Sequence, residues 1–147
     1  MAEGIDGLGL EEKRGALVGT KSAVEQLEKT ILIVDDDLER RRGVGARLER
    51  SGYQARFATG GVEAAKIAVD TVPDLVVLDL GISSGDGETV LVRLSDHPVT
   101  KKIPIVAVSG KLIPAVRARA FDNGARAFIE KPFEGDELLR TIEDLLL

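Results

Sequence analysis

The chain of 147 residues contains no cysteine, no tryptophan and a single histidine. Without thiols there are no disulfides, iron–sulfur clusters or cysteine nucleophiles, and one histidine cannot build a multi-histidine metal site within one chain. No apolar run approaches the roughly 20 residues that a membrane-spanning helix needs. The acidic opening from Met1 to Asp6 lacks the basic-then-apolar order of a signal peptide. Neither secretion nor membrane insertion is expected, and a cytoplasmic location follows as the working expectation. The formal net charge of −5 at pH 7 offers no global field for nucleic acid. What remains for chemistry is oxygen, carried by 25 aspartates and glutamates. Hydrophobic residues make up 44% of the chain, enough for one packed core of ordinary domain size.

Glycines at 4, 7, 9, 15 and 19 argue against a stable helix before about Thr20. From there to Lys29, Val24 continues a seven-residue spacing that joins Leu17 to Ile31, and Leu27 adds one more apolar position on that side, so a short helix is expected. Residues 1–30 therefore read as an extension, a tail ending in a helical linker, with a docking or homodimerisation helix as the alternative. Residues 31–147 read as the folded domain. Short apolar runs recur at Ile31 to Val34, Gln54 to Ala58, Leu75 to Leu78, Ile105 to Val108 and Ala127 to Ile129. Segments of helical periodicity lie between them, at Leu38 to Ser51, Gly61 to Asp70, Glu88 to Leu94 and Ala115 to Asn123, and a last one runs from Asp136 to Leu145. This alternation predicts an α/β fold, a parallel sheet covered by helices. Gln54 to Ala58 mixes polar and apolar residues, as an edge strand would. Ser51-Gly52 and Asn123-Gly124 supply glycine where helices end.

Acids stand at the carboxyl ends of two of these strands: Asp35, Asp36 and Asp37 after the first, Asp79 after the third. Ligands of open parallel sheets bind outside the carboxyl ends of strands. Carboxylates gathered there repel one another unless a hard cation joins them, and Mg2+, which completes its shell with phosphate oxygen, is the natural partner. Ser109 follows the fourth strand with a hydroxyl, and Lys131 follows the fifth with an ammonium. Together they can hold phosphoryl oxygens while charge is transferred. A carboxylate must then be the nucleophile, and Asp79, alone at its strand end, is the candidate.

The chain resembles the receiver domain of bacterial two-component response regulators, including the single-domain chemotaxis type. The resemblance runs from Ile31 to Leu147 and is carried by Ile-Leu-Ile-Val-Asp-Asp at 31–36, Leu-Val-Val-Leu-Asp at 75–79, Asp-Gly at 86–87, Ile-Pro-Ile-Val-Ala-Val-Ser at 103–109, and Gly-Ala-Arg-Ala-Phe-Ile-Glu-Lys-Pro-Phe at 124–133. It implies a flavodoxin-like, doubly wound sheet of five parallel strands in the order 2-1-3-4-5 with five helices. It implies that Asp79 takes a phosphoryl group from the phosphohistidine of a sensor histidine kinase or histidine phosphotransfer protein. Asp36, Asp79 and the Gly81 carbonyl would ligate Mg2+ directly and Asp35 through water. Lys131 and Ser109 would meet the phosphoryl group, Phe128 would turn inward as the Ser109 loop moves, and the Lys131-Pro132 bond would be cis. The outcome would be a signalling switch read by a downstream protein, not an enzyme acting on other substrates. Because the domain reaches Leu147, no output domain and no direct DNA binding are expected.

The sequence departs from the family where Ser83 replaces a frequent proline, which predicts a looser loop from Gly81 to Gly87. Gly81 and Lys111 occupy the positions that tune dephosphorylation in the family. Asp37 reads as a helix cap, His97 as a surface residue, and Asp86-Gly87 as a turn and helix start. Arg40, Arg41, Arg42, Arg47 and Arg50 make the first helix basic. That face is either simply solvated or, as the resemblance implies for Arg41 and Arg42, docks the phosphodonor. Two rival readings are a pseudo-receiver that binds without phosphorylation and a hydrolase with a transient Asp79 intermediate. The intact Asp35, Asp36, Asp79, Ser109 and Lys131 oppose the first, and Gly81, which cannot protonate a leaving group, opposes the second.

Overall fold

The computed structural model describes residues 29–82, 87–110 and 114–147. Along the chain, Thr30–Val34 (β1), Leu38–Arg50 (α1), Gln54–Ala58 (β2), Gly61–Thr71 (α2), Leu75–Asp79 (β3), Gly87–Asp96 (α3), Ile105–Ser109 (β4), Pro114–Asp122 (α4), Ala127–Glu130 (β5) and Gly135–Leu146 (α5) alternate strictly. The strands form one parallel sheet in the order β2-β1-β3-β4-β5. The alternation predicted the parallel sheet and the resemblance implied its doubly wound strand order; element ends differ from the expected ones by one or two residues. The proposed helix before Lys29, Ser83, Asp86 and Lys111 lie outside the described residues.

β1, β3 and β4 occupy the sheet interior, which is why Ile31 to Val34, Leu75 to Leu78 and Ile105 to Val108 are apolar without interruption. Successive side chains point to opposite faces, so each strand feeds two cores. Leu32, Val34, Val76, Leu78, Ile105 and Ala107 pack with Ala64 and Ala68 of α2 and with Val90, Leu91 and Leu94 of α3. Ile31, Ile33, Leu75, Val77, Val106 and Val108 pack with Leu48 of α1 and with Leu138 and Ile142 of α5. β2 lies at one edge, as its mixed sequence predicts, and β5 at the other.

Caps set the helix ends. Asp37 is the N-cap of α1, its Oδ1 accepting from the Arg40 N–H at 2.9 Å. Gly52 and Gly124 take φ of 98° and 114° after α1 and α4, the left-handed region where a side chain is disfavoured. The sheet starts slightly before the predicted domain boundary. The Thr30 N–H donates to Asp74 Oδ2 at 2.7 Å, and the Lys29 carbonyl accepts from the Gln54 N–H at 2.9 Å.

Candidate functional site at the carboxyl edge of the sheet

Parallel pairing brings four strand ends to one edge. β3 closes on Asp79, whose register partner is Val108, so Ser109 lies one residue further along that edge. Ser109 in turn pairs with Glu130, the residue before Lys131, and the Lys131 N–H donates to the Ser109 carbonyl at 2.9 Å. On the other side β1 runs into Asp35, tied to β2 by its N–H bond to the Ala58 carbonyl at 3.1 Å. The Lys131-Pro132 bond is cis, as the resemblance implied.

Asp79 is only 2% exposed, and both of its carboxylate oxygens have partners. The Gly81 N–H donates to Oδ1 at 2.8 Å and Lys131 Nζ to Oδ2 at 3.0 Å. Burial of a carboxylate is tolerable only with such compensation. Asp35, Asp36 and Asp79 each present an oxygen, and the three atoms lie within 4.8 Å of one another. Three hard oxygen donors converging from two strand ends suit a small divalent cation such as Mg2+. A cavity of about 580 Å³ between α1 and α5 opens beside Asp35 and Asp79, floored by Ile33, Val77, Val108 and Leu138, and leaves Asp79 approachable.

The cluster also holds a residue that its sequence position assigns only to the basic face of the first helix. Arg40, in the first turn of α1, donates from Nε to Asp35 Oδ2 at 3.0 Å and from Nη2 to Asp35 Oδ1 at 3.1 Å. The same Nη2 lies 3.5 Å from Asp79 and 4.0 Å from Asp36, and Nη1 lies 3.5 Å from Asp37. The hydrogen bond to Asp35 raises the Arg40 pKa further above its ordinary value, so the guanidinium is fully charged. Its spacing of three to five residues from the three aspartates was the available signal. Charge alone does not separate Arg40 from Arg41 and Arg42, its neighbours in the same basic run.

Their directions differ. Arg41 Nη1 donates to the Asp35 carbonyl at 2.8 Å and braces the turn out of β1, while Arg42 is exposed. Asp37 is the cap it was expected to be, and His97 is exposed, its Nδ1 accepting from the Val99 N–H. Gly81 is exposed beside Asp79. Gly87 opens α3, as expected. Phe128 is half-buried against the core facing α2 and α3, with the Arg117 guanidinium 5.9 Å from its ring centroid.

Residues 31–143 match the family described as "Response regulator receiver domain". The DNA-binding dual master transcriptional regulator RpaA of Synechocystis is 35% identical over 116 residues, covering 79% of this chain and 48% of that protein. The chain spans about half the length of the curated relatives it matches. Among solved structures, the signal receiver domain of a signal transduction histidine kinase from Syntrophus aciditrophicus is 30% identical with a TM-score of 0.74, covering 80% of this chain and 89% of that one. The chemotaxis protein CheY4 of Vibrio cholerae is 25% identical with a TM-score of 0.76, covering 80% of this chain and 98% of that one.

Proposed function

The chain belongs to the response regulator receiver domain family of two-component signalling, and from that premise we propose that it is a switch operated by phosphorylation of Asp79. The observation that carries this reading is the setting of Asp79: buried at a strand end, 3.0 Å from the Lys131 ammonium and grouped with Asp35 and Asp36. An Asp79 oxygen attacks the phosphorus of a phosphohistidine on a sensor histidine kinase or phosphotransfer protein. The N–P bond breaks, the imidazole leaves and takes up a proton, and an acyl phosphate remains on Asp79. Asp35, Asp36, Asp79 and the Gly81 carbonyl would hold Mg2+, which when bound neutralises charge on the phosphoryl oxygens. Lys131 and Ser109 take the other phosphoryl oxygens. Gly81 and Lys111 tune how long the acyl phosphate lasts. The domain modifies only itself, in the cytoplasm, and residues 31–147 suffice for it.

Output is by protein contact. The new charge draws Ser109 and Lys131 inward, Phe128 follows, and the face of α4, β5 and α5 is remodelled for a downstream protein. The chain's net charge of −5 disfavours direct DNA binding. Arg42, exposed on α1, contributes with Arg41 to phosphodonor docking, and self-association through the N-terminal extension would be a further contact. A receiver that works without phosphorylation is favoured by one observation only, the Arg40 guanidinium already set among the carboxylates.

Incubation with Mg2+ and acetyl phosphate, followed by intact mass measurement, separates these readings. Wild type is expected to gain one phosphoryl mass and Asp79→Asn none. Wild type that stays unmodified with every donor tried contradicts the switch, and multiple turnover of varied phosphate esters points to a hydrolase.

A further inference from the structure

A cation in the first turn of a helix is misplaced with respect to the helix dipole, whose positive end lies there. Arg40 holds that position because carboxylates surround it. Asp37, by capping the Arg40 N–H, fixes the backbone, and side chains in a helix lean towards its N-terminus. The guanidinium is thereby carried back over the end of β1, with Nη2 reaching Asp35, Asp79 and Asp36 at 3.1, 3.5 and 4.0 Å. These are the three residues whose oxygens converge within 4.8 Å. Two hydrogen bonds to both oxygens of Asp35 make the contact a bidentate fork, not a loose surface approach. Lys131 Nζ meets the same Asp79 oxygen, Oδ2, at 3.0 Å, so that carboxylate is held by two cations.

We propose that Arg40 is a tethered counter-ion of the resting site, which offsets one of the three charges of Asp35, Asp36 and Asp79 and must swing out when Mg2+ enters. The inference rests on the Mg2+-dependent reading above. The consequence is a site that stays stable without metal and whose metal affinity is set by exchange of one cation for another. The side chain is 47% exposed, so it has open solvent into which to swing. Metal entry then releases a guanidinium at the mouth of the site, next to where the phosphodonor must approach.

Calorimetric titration of Mg2+ into wild type, Arg40→Gln and Arg40→Lys tests this on the full chain, with Asp36→Asn as the control for a lost ligand. Arg40→Gln should bind Mg2+ about tenfold more tightly, a value already reduced for the partial exposure of the guanidinium. Its metal-free form should melt lower than wild type and gain more on adding Mg2+. Arg40→Lys, which keeps the charge but loses the fork, should fall between. The Arg40 Nε–Hε resonance in NMR, held by Asp35 without metal, should lose its protection from exchange as Mg2+ saturates. Equal or weaker affinity in Arg40→Gln, or an Nε–Hε signal unmoved at saturating Mg2+, overturns the exchange while leaving the receiver reading intact. Absence of Mg2+ binding in both wild type and Arg40→Gln overturns the exchange and the Mg2+-dependent reading together.

Discussion

A methyl group added at Gly87 would lie 2.5 Å from the Leu80 carbonyl oxygen and 2.6 Å from the Leu80 Cα. Backbone, unlike a flexible side chain, has little room to yield. Gly87→Ala is therefore expected to cost about 1–3 kcal/mol in urea denaturation, and an unchanged midpoint would contradict the close approach of α3 to the end of β3. Position relative to a strand end was enough to single out Asp35, Asp36, Asp79, Ser109 and Lys131 as candidates, and the sheet brings these residues to one edge. The arginines needed more. Successive residues turn by about 100° around a helix, so three in a row point to three different places. Arg40 goes back to the carboxylates, Arg41 to the Asp35 carbonyl and Arg42 to solvent. Composition registers only their shared charge.

At the scale of elements, α2 ends on Val72, which takes φ 45° although its β-branched side chain disfavours the left-handed region. The side chain is half exposed, so little packing opposes its removal. Val72→Gly should stabilise the protein by about 1 kcal/mol, read as a raised Tm in calorimetry. α4 is held more lightly, with Ala120 its one buried residue among those described. Part of its attachment is polar: Arg119 Nε donates to Glu88 Oε1 of α3 at 3.0 Å. That hydrogen bond holds the Glu88 pKa below its ordinary value of 4.5. A carboxylate with a lowered native pKa contributes stability above the ordinary value and loses it as pH falls through the lowered one. Glu88→Gln should flatten the acid limb of the stability–pH curve and speed amide exchange in α4 on that limb, whereas an identical limb would mean the pair is fully screened by solvent. The strands and helices themselves were legible because each carries a local period of hydrophobicity. Their ends were less so, since a terminal residue such as Thr30 is recruited by a distant partner, Asp74.

For the whole molecule, β1 sits between β2 and β3, and every other element is arranged around that pairing. A chain trimmed to begin at Ile31 loses the Thr30–Asp74 and Lys29–Gln54 hydrogen bonds, while one beginning at Gln26 keeps them. The shorter chain should be less stable by about 1 kcal/mol for each bond, and equal unfolding midpoints would show that these contacts add nothing. Beryllofluoride, a mimic of a bound phosphoryl group, tests the switch at the same scale. With Mg2+ it should alter hydrogen exchange in α4, β5 and α5, where Arg117 covers Phe128, and leave α2 unchanged. Exchange unaltered on that face would remove the proposed output.

Local pattern by itself determined the alternating elements, the edge character of β2, the helix caps, and the placement of acids, hydroxyl and ammonium at strand ends, because each depends on a few neighbouring residues. Only the tertiary structure decided that Arg40, and not Arg41 or Arg42, enters the carboxylate cluster. The physical reason is that the cluster exists only once β1 and β3 pair, and a guanidinium can choose its carboxylates only after the strands have brought them together.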